Sequence, residues 1–252
     1  MMPETDNADV LVLAAGFGNR LRPLTDHLPK PLIEVCGRTL LDRNLELLAR
    51  NGLRRVIVNL HYRARQIREF VGDGSKWGLE VCFAEEPVIL DTGGAIKNIE
   101  PLLRHDYLLT LNSDILIAPD FPLAGLLRTH VAHQGHPLVT MVLRHDSAAQ
   151  DYGEIGIDQS GRVVRFLGHD YGPVQAVQSL MFLGIEVLSR ELLKWMPEAG
   201  HAFSITRDIF PKVLRAEGFI SSFIFDGFWA DIGTSNRLRE ASKTWQDIFG
   251  IS

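Results

Sequence analysis

Continuous apolar runs alternate with segments of helical periodicity through the first half of the chain. Residues 10–15 form an apolar run rich in β-branched side chains, which predicts a buried strand. Residues 39–51 carry leucines at helical spacing and are followed by Gly52, which predicts a helix with a glycine just beyond its end. The same two patterns predict further strands at 55–60, 79–84 and 107–111, and helices at 63–71 and 93–104.

The second half of the chain carries more strand-like segments than helical ones. Apolar and alternating runs predict strands at 138–143, 153–158, 162–167, 180–187 and 219–225. The sequence Asp158-Gln159-Ser160-Gly161 has the composition of a hairpin turn between two of them. Helices are predicted at 190–196, 206–217 and 234–249. The alternation of strand and helix predicts an α/β fold with a Rossmann-like, mixed, mostly parallel sheet flanked by helices.

Composition and charge narrow the possible partners. The 252 residues carry a formal net charge of -5, so no global basic field attracts nucleic acid. The first nine residues are polar and acidic and lack the basic and apolar regions of a signal peptide. No apolar run approaches the roughly 20 residues that a membrane helix needs. The two cysteines, Cys36 and Cys82, form no CxxC pair, and we expect a cytoplasmic protein without nucleic-acid or membrane partners.

The segment that follows the first predicted strand suits a bound triphosphate. It reads Leu13-Ala14-Ala15-Gly16-Phe17-Gly18-Asn19-Arg20-Leu21-Arg22-Pro23, and Pro29-Lys30-Pro31 follows closely. Its glycines leave backbone N–H groups open to an anion, while Arg20, Arg22 and Lys30 supply cations on a proline-restricted loop. The dinucleotide-binding fingerprint is excluded because Leu21 stands at its third glycine. The P-loop is excluded because Gly-Asn-Arg stands where it needs Gly-Lys-Ser/Thr.

The spacing Gly-x-Gly-x-Arg, two residues, Pro, five residues, Pro-Lys-Pro resembles the signature of the sugar nucleotidyltransferase family. The resemblance extends from Val10 to about Ala241 and is greatest to the short bacterial members that act on N-acetylmuramate 1-phosphate or mannose 1-phosphate. It implies that the base and phosphates are held by the backbone of Leu13, Ala14, Ala15, Gly16 and Gly18. It also implies that Arg20 and Lys30 are catalytic, because they would neutralise charge on the α-phosphate and the leaving pyrophosphate.

Two aspartates are candidate ligands of a magnesium ion. Asp114 follows an apolar strand in the sequence Leu111-Asn112-Ser113-Asp114, and Asp231 lies between an aromatic strand end and a helix start. On the residues alone, each could equally be a turn or cap residue. The family resemblance implies that both are Mg²⁺ ligands. That arrangement fits an ion that is held by one or two carboxylates and by phosphates.

The resemblance assigns the other substrate contacts to residues scattered along the chain. Further nucleotide-binding residues would be Glu85, Pro87, Gly93 and Ser113, and sugar-binding residues would be Asn112 and, in the sequence Tyr152-Gly153-Glu154, Gly153 and Glu154. Many relatives place a lysine on the sugar phosphate, but here the strand at 162–167 is followed by Gly168-His169-Asp170. A protonated His169 would replace that lysine, or it is an ordinary surface histidine.

These features predict one nucleotidyltransferase domain over residues 1–252. It would comprise a nucleotide-binding half at about 8–135, a smaller sugar-phosphate-binding β region at about 136–235 and a C-terminal helix at 234–252, without a C-terminal repeat domain. The predicted substrates are a nucleoside triphosphate, UTP or GTP, and a sugar 1-phosphate, which reacts by Mg²⁺-assisted in-line attack on the α-phosphate. The alternatives are a cytidylyltransferase for a phospho-alcohol such as phosphocholine and a non-catalytic nucleotide-sugar sensor. We expect a monomer or a homodimer.

Overall fold

The computed structural model describes residues 8–147, 149 and 153–250, and the chain divides into two compact units. The first unit comprises Met1–Leu11, Leu90–Leu111 and Pro122–Asp226, and the second comprises Val12–Ile89, Asn112–Phe121 and Gly227–Ser252. Each unit is therefore built from segments that are distant in sequence. No helix in the described part of the chain is long and apolar enough to cross a membrane.

Short strands and short helices follow one another along the chain. The strands are β1 (Ala8–Leu13), β2 (Glu34–Val35), β3 (Arg38–Thr39), β4 (Arg55–Leu60), β5 (Glu80–Glu85), β6 (Tyr107–Asn112), β7 (Ile115–Ile117), β8 (Val139–Arg144), β9 (Ile155–Ile157), β10 (Val163–Phe166), β11 (His169–Asp170), β12 (Gln178–Ser189), β13 (Ile220–Ile224) and β14 (Trp229–Asp231). The α-helices are α1 (Leu40–Arg50), α2 (Ala64–Val71), α3 (Asp91–Asn98), α4 (Leu123–Ala132), α5 (Phe210–Arg215) and α6 (Ser235–Phe249).

In the first unit, the sheet is organised around β12. This strand pairs antiparallel with β6, β8 and β9, and β8 in turn pairs parallel with β13. Its register on β8 shifts between Phe182 and Glu186, where Gly184 has a φ of 74°, so the strand bends and meets several neighbours. The predicted hairpin joins β9 and β10, and Gly161 N–H donates to Asp158 O at 3.1 Å.

Glu186 and His130 are buried titratable side chains of the first unit with large pKa shifts. Glu186 on β12 accepts a hydrogen bond from Thr110 Oγ1 at 3.0 Å, and burial raises the pKa of its carboxyl to about 7. His130 on α4 lies 2.8 Å from Thr140 Oγ1 and 3.0 Å from Ser189 Oγ, and burial lowers the pKa of its imidazole to about 4. Both pKa shifts favour the uncharged form of the group, as expected for side chains removed from water.

In the second unit, β4 and β5 form a parallel pair along their whole length, with α1 and α2 in the same unit. The start of α1 is capped by Thr39, whose Oγ1 accepts a hydrogen bond from Asp42 N–H at 3.1 Å. The helix ends before Gly52, which has a φ of 81°, a backbone conformation that favours glycine. The predicted glycine beyond this helix therefore has the role that the sequence indicated.

A short antiparallel pair, β7 with β14, supports the end of the second unit. Across this pair Ile232 N–H donates to Asp114 O at 3.1 Å, which brings Asp114 beside the end of β14 at Asp231. Ile232 is fully buried in an apolar cluster that includes Leu116 of β7 and Trp245 of α6. Removal of these apolar surfaces from water stabilises the strand pair, so the two aspartates at its end are held by well-packed strands.

The predicted α/β fold, with a mixed sheet flanked by helices, is confirmed. Three predicted helices differ from the structure in extent or in type. The helix predicted at 93–104 ends at Asn98, and Glu100–Leu102 forms a separate 3-10 turn that contains Pro101, which lacks an N–H for a continued helix. Arg190–Trp195 is a 3-10 helix, and the segment predicted at 206–217 begins as a π-helical turn, Ile205–Ile209, before α5.

Candidate active site

The two predicted metal ligands lie together in the second unit, with Lys30 in contact with both. Lys30 Nζ forms an ion pair with Asp114 Oδ2 and lies 3.8 Å from Asp231 Oδ1. The Lys30 side chain is only 10% exposed. A buried ammonium group is costly unless carboxylates compensate its charge. The contact therefore holds the two acids and the cation in one cluster.

Prolines determine the course of the backbone at Lys30. Lys30–Leu32 is a 3-10 turn, with Pro29 before it and Pro31 inside it. Leu32 N–H donates to Pro29 O at 2.9 Å, and Ile33 N–H donates to Lys30 O at 3.1 Å. Because proline fixes its own φ angle, few alternative backbone conformations are open to this turn. The lysine is thus presented from a restricted segment, as the Pro-Lys-Pro sequence predicts.

Arg20 lies beside Gly233, two residues after Asp231. A Cβ atom added to Gly233 would lie 2.7 Å from Asp231 Oδ2 and 3.2 Å from an Arg20 guanidinium nitrogen. The glycine therefore leaves the space that the carboxylate and the guanidinium share. Arg20 belongs to the 3-10 turn Asn19–Leu21, which fully buried Leu21 anchors. The two predicted catalytic cations thus both lie near the aspartate pair.

The two glycines of the entry loop differ in their surroundings. Gly18 has a φ of 66°, and a Cβ atom added there would lie 2.8 Å from Thr25 Cγ2. Thr25 Oγ1 also donates to Gly18 O at 2.9 Å. A Cβ atom added to Gly16 would meet nothing within 4 Å. Gly18 is therefore required by the turn itself, whereas Gly16 leaves backbone open to a ligand.

A cation that the sequence analysis missed, Arg237, contacts Asp231. Its guanidinium donates to Asp231 Oδ2 at 2.6 Å. Arg237 lies in the first turn of α6, where its N–H donates to the capping Thr234 Oγ1 at 3.3 Å. No sequence signal identifies it, because the contact depends on how β14 leads into α6. Arg20, Lys30 and Arg237 thus gather around two carboxylates, a positive excess that suits an anionic substrate.

The backbone at the end of β1 is partly bonded to the protein itself. Leu13 O accepts hydrogen bonds from Ser113 N–H at 3.2 Å and from Ser113 Oγ at 2.6 Å. Ala14 N–H donates to Asn59 Oδ1 at 2.6 Å. Asn112, the predicted sugar contact, precedes Ser113 at the end of β6. The Ala14 amide and the Ser113 hydroxyl proton thus have protein acceptors, and the nucleotide contacts expected at these residues stay predictions.

Buried Glu86 supports this strand end, whereas Glu85, the predicted nucleotide contact, lies on the surface. Asn59 Nδ2 donates to Glu86 Oε1 at 2.7 Å, and Glu86 is buried. Glu85 is 62% exposed in its side chain and pairs with an Arg68 guanidinium nitrogen at 2.6 Å. Pro87 follows at an exposed position. Alternation at the end of β5 turns the Glu85 side chain outward and that of Glu86 inward, and Glu85 as a nucleotide contact stays a prediction.

An exposed aromatic residue beside Gly16 was also missed. Phe17 is 37% exposed, and its ring lies edge-on to His61 with the ring centroids 5.3 Å apart. The Phe17 ring also lies 5.5 Å from that of Tyr62, whose hydroxyl donates to Thr25 O at 2.7 Å. Aromatic faces of this kind stack on nucleobases. An aromatic side chain between the two glycines is the sequence signal that would have found it.

The other predicted contacts, Gly93, Gly153 and Glu154, belong to the first unit. Gly93 N–H donates to Phe203 O at 2.9 Å, and a Cβ atom on Gly93 would lie 2.4 Å from the Phe203 ring. Phe203 thus makes the close approach that requires a glycine at position 93, and Gly93 as a nucleotide contact stays a prediction. Gly153 has a φ of 87°, and Glu154 accepts a hydrogen bond from Ser179 Oγ. Tyr152 lies outside the described residues.

His169, the candidate replacement for the sugar-phosphate lysine, also belongs to the first unit. It is exposed on the two-residue strand β11, opposite Phe166 of β10. The neighbouring Asp170 forms an ion pair with Arg165 at 2.6 Å, which fixes the end of this short strand. The structure gives His169 no buried phosphate-binding surroundings of its own.

The aspartate pair offers a donor set that suits Mg²⁺. Across residues 8–147, 149 and 153–250, no group of three or more histidine, cysteine, aspartate or glutamate side chains is arranged to hold a metal ion. Mg²⁺ is commonly bound by only one or two carboxylates, with phosphate oxygens and water completing its shell. Asp114 and Asp231 fit that pattern, and phosphates would have to supply the other ligands.

Comparison with known proteins extends this picture. The sequence profile of the family described as "Nucleotidyl transferase" matches residues 9–248, nearly the whole chain. The chain belongs to the nucleotidyl transferase family. The family resemblance drawn from the entry loop and the two aspartates is thereby confirmed, and the loop, Lys30 and both aspartates all lie within the matched region of this nucleotidyl transferase.

Known nucleotidyl transferases are similar over most of the chain. Mannose-1-phosphate guanylyltransferase of Mycobacterium tuberculosis is 33% identical over 91% of the chain. N-acetylmuramate alpha-1-phosphate uridylyltransferase of Neisseria meningitidis serogroup B is 32% identical over 92% of the chain. The chain spans 62% of the length of the Mycobacterium protein and 95% of the length of the Neisseria protein. It is thus shorter than the guanylyltransferase and similar in extent to the uridylyltransferase.

Solved structures share the fold of this nucleotidyl transferase. HddC from Yersinia pseudotuberculosis matches with a TM-score of 0.77 and 24% identity, over 94% of this chain and 99% of that one. A putative glucose-1-phosphate thymidylyltransferase from Bacillus anthracis, in complex with a sucrose, matches with a TM-score of 0.79 and 18% identity, over 96% of both chains. At these identities the likeness establishes the fold.

Proposed function

We propose that this nucleotidyl transferase joins a nucleoside triphosphate to a sugar 1-phosphate and forms a nucleoside diphosphate sugar and pyrophosphate. The observation that carries the proposal is the cluster of Arg20, Lys30, Asp114 and Asp231 in the second unit. Cations at this cluster suit the phosphates, and the carboxylates suit the metal that accompanies them. The similar guanylyltransferase and uridylyltransferase, which are named for sugar 1-phosphates, support the same reaction.

In the proposed reaction, a phosphate oxygen of the sugar 1-phosphate forms a bond to the α-phosphorus of the triphosphate. The bond from that phosphorus to the bridging oxygen of pyrophosphate breaks, and pyrophosphate leaves with the electron pair. Arg20 has planar paired donors that bind two phosphate oxygens, and Lys30 adds a second positive charge. Asp114 and Asp231 would hold Mg²⁺, which neutralises phosphate charge when bound. Positioning and charge neutralisation account for catalysis without a covalent enzyme intermediate.

We propose GTP or UTP as the triphosphate and the 1-phosphate of mannose or N-acetylmuramate as the acceptor. Guanylyl and uridylyl transfer are the activities for which the two similar proteins are named, and HddC from Yersinia pseudotuberculosis was solved in complex with GMP-PN. The exposed Phe17 ring beside the open Gly16 backbone supports binding of the base near this loop. Asn112, Gly153 and Glu154 are proposed to contact the sugar.

The proposal also includes the identity of the metal, the cellular location and the oligomeric state. We propose Mg²⁺ as the metal, because two carboxylates and phosphates form the oxygen-rich shell that it prefers. We propose the cytoplasm as the location, which the free thiols Cys36 and Cys82 fit because that compartment is reducing. We propose a monomer or a homodimer as the working state.

A pyrophosphate-release assay tests the proposed function. GTP, UTP and the other triphosphates are each combined with a panel of sugar 1-phosphates, and release is expected only when a sugar 1-phosphate and Mg²⁺ are both present. Asp114→Asn and Asp231→Asn are each expected to lower turnover at least about 100-fold, because a metal ligand is lost. Asp247→Asn, at an exposed position of α6, is the control and is expected to keep the wild-type rate. Undiminished release in excess chelator would overturn the metal site.

A further inference from the structure

Positive charge exceeds negative charge around Asp231. Lys30 Nζ lies 3.8 Å from Asp231 Oδ1, and an Arg237 nitrogen lies 2.6 Å from Asp231 Oδ2. Arg20 is beside Gly233, near the same carboxylate, while Lys30 also pairs with Asp114. Both oxygens of Asp231 thus face a cation of the protein. Lys30 and Arg237 pair with the aspartates and Arg20 lies near them, so three cationic side chains surround two carboxylates.

Arg237 stands at a position where helix stability does not favour it. It lies in the first turn of the 15-residue helix α6, and that turn contains no acidic residue. The positive end of the helix dipole lies there and disfavours a cation. The arginine is compensated instead by Asp231, whose side chain is 17% exposed, against 35% for Arg237. The ion pair therefore stabilises the Asp231 carboxylate, whereas the position of Arg237 in the first turn does not stabilise α6.

We propose that Arg237 competes with the metal for Asp231, so that Mg²⁺ binds firmly only together with the triphosphate. The inference rests on the proposed function, since it concerns the same aspartates. In the free protein, a divalent cation at Asp114 and Asp231 would add charge to a cluster that is already positive. Like charges at contact distance repel strongly where water is partly excluded. A bound triphosphate reverses the sign of the site and gives Arg20, Lys30 and Arg237 other anions to pair with.

The sign of the effect separates this role from a merely supporting one. If Arg237 competes with the metal, its neutralisation strengthens metal binding to the free protein, because repulsion falls and Asp231 Oδ2 is released. If Arg237 only holds Asp231 in place, the same change weakens metal binding. The conservative Arg237→Lys keeps the charge and is expected to keep the weak binding of the wild type.

Metal binding to the nucleotide-free protein is the test. Mn²⁺ alone serves as the probe, and free Mn²⁺ is measured by its electron paramagnetic resonance signal as the protein is titrated. Arg237→Gln and Arg237→Ala are both expected to bind Mn²⁺ at least about tenfold more tightly than the wild type. Arg239→Gln is the matched control on the same helix, since the exposed Arg239 guanidinium donates to Asn236 Oδ1 at 2.6 Å. Unchanged or weaker binding in both Arg237 variants overturns the proposal.

Calorimetry with a non-hydrolysable guanosine or uridine triphosphate in excess Mn²⁺ separates this proposal from the proposed function. A wild-type protein that binds neither triphosphate overturns the proposed function. A wild-type protein that binds one of them, while the Arg237 variants show no tighter Mn²⁺ binding, overturns only the role of Arg237. Thermal melting of each variant confirms that the protein compared is folded, and two different substitutions guard against a local effect of either.

Discussion

Arg20 and Lys30 are both cations of the entry loop, but their surroundings give them different tasks. Lys30 is buried in a turn that contains two prolines, and it contacts both aspartates. It therefore stabilises the cluster as well as adding to its charge. Arg20 is exposed and lies beside Gly233, where its guanidinium is accessible to a substrate. A planar group with paired donors is suited to charge that builds on a phosphate during reaction.

Substitution of Arg20 tests that division. Arg20→Lys keeps the charge and loses the paired donors, so it is expected to lower kcat more than it raises the KM for the triphosphate. Arg20→Ala is expected to lower kcat/KM by about 1,000-fold, the scale of a lost charge-stabilising donor. Steady-state kinetics at saturating Mg²⁺ measure both. Arg65→Lys is the control, because Arg65 is exposed, lies outside the entry loop and pairs with Glu69 at 2.6 Å. Near-normal kinetics of Arg20→Ala would remove Arg20 from the mechanism.

Which residues of the site were predictable depends on whether their contacts are local. Lys30 and Arg20 are recognisable because their prolines and glycines lie a few positions away in the sequence. Glu86 and Arg237 were missed because their roles come from partners far along the chain, Asn59 for the first and Asp231 for the second. Nothing in a short stretch of sequence distinguishes an arginine that contacts Asp231 from one in solvent.

At the scale of elements, β12 and α4 each hold a buried titratable group with a large pKa shift. The pKa of the Glu186 carboxyl rises from 4.5 to about 7 because of its burial. The pKa of the His130 imidazole falls from 6.5 to about 4, chiefly through burial. The folded state therefore keeps the Glu186 proton where the unfolded chain loses it, and stability falls as the pH rises from 4.5 to about 7. For His130 the sign is opposite, and stability rises as the pH rises from about 4 to 6.5.

Glu186→Gln is expected to remove the first of these opposing effects. The free energy of unfolding of the variant, minus that of the wild type, should increase by on the order of 3 kcal/mol between about pH 5 and about pH 8. The variant thus becomes more stable relative to the wild type as the pH rises. Urea unfolding followed by circular dichroism at several pH values measures this difference. Glu191→Gln, an exposed acid of the same unit that pairs with Lys194 at 2.9 Å, is the control. Parallel pH curves for the wild type and Glu186→Gln would contradict the burial argument.

Long and strongly patterned elements followed from the sequence, and short ones did not. The strand at 55–60 agrees with β4, and the helix at 39–51 agrees with α1 within a residue at each end. β7 and β14 are three residues each, too short for a periodic pattern, and they form only because they pair with each other. α4 was missed although its buried Leu123, Leu126 and Leu127 have helical spacing, and Gly125 inside it lowers its helix propensity.

At the scale of the whole molecule, an acidic chain concentrates cations at one place. The formal net charge is -5, yet Arg20, Lys30 and Arg237 gather at the aspartate pair. A ligand that neutralises this local excess should stabilise the fold as well as react. Composition gives only the sum of the charges, so their distribution could not be predicted from it.

Ligand-linked stability measures that local charge. At about 100 times its Kd, a triphosphate with excess Mg²⁺ adds about 2.7 kcal/mol to the stability of the protein that binds it. For a chain of this size the Tm is then expected to rise by about 5–10 °C, as measured by differential scanning fluorimetry. Lys30→Ala should show a smaller rise at the same ligand concentration. Mg²⁺ and NaCl at matched ionic strength, without the nucleotide, form the control, and an equal rise with them would argue against a specific site.

The pairing of β7 with β14 also determines when the aspartate pair can form during synthesis of the protein. A ribosome makes Lys30 and Asp114 well before β14, which brings Asp231 and leads directly into Arg237. A nascent chain that stops short of β14 therefore presents an unpaired β7 edge and a lysine with one carboxylate partner in place of two. Such a chain holds the entry loop and yet lacks half of the proposed metal ligands. The proposed metal site is thus complete only after β14 has been made and has paired with β7.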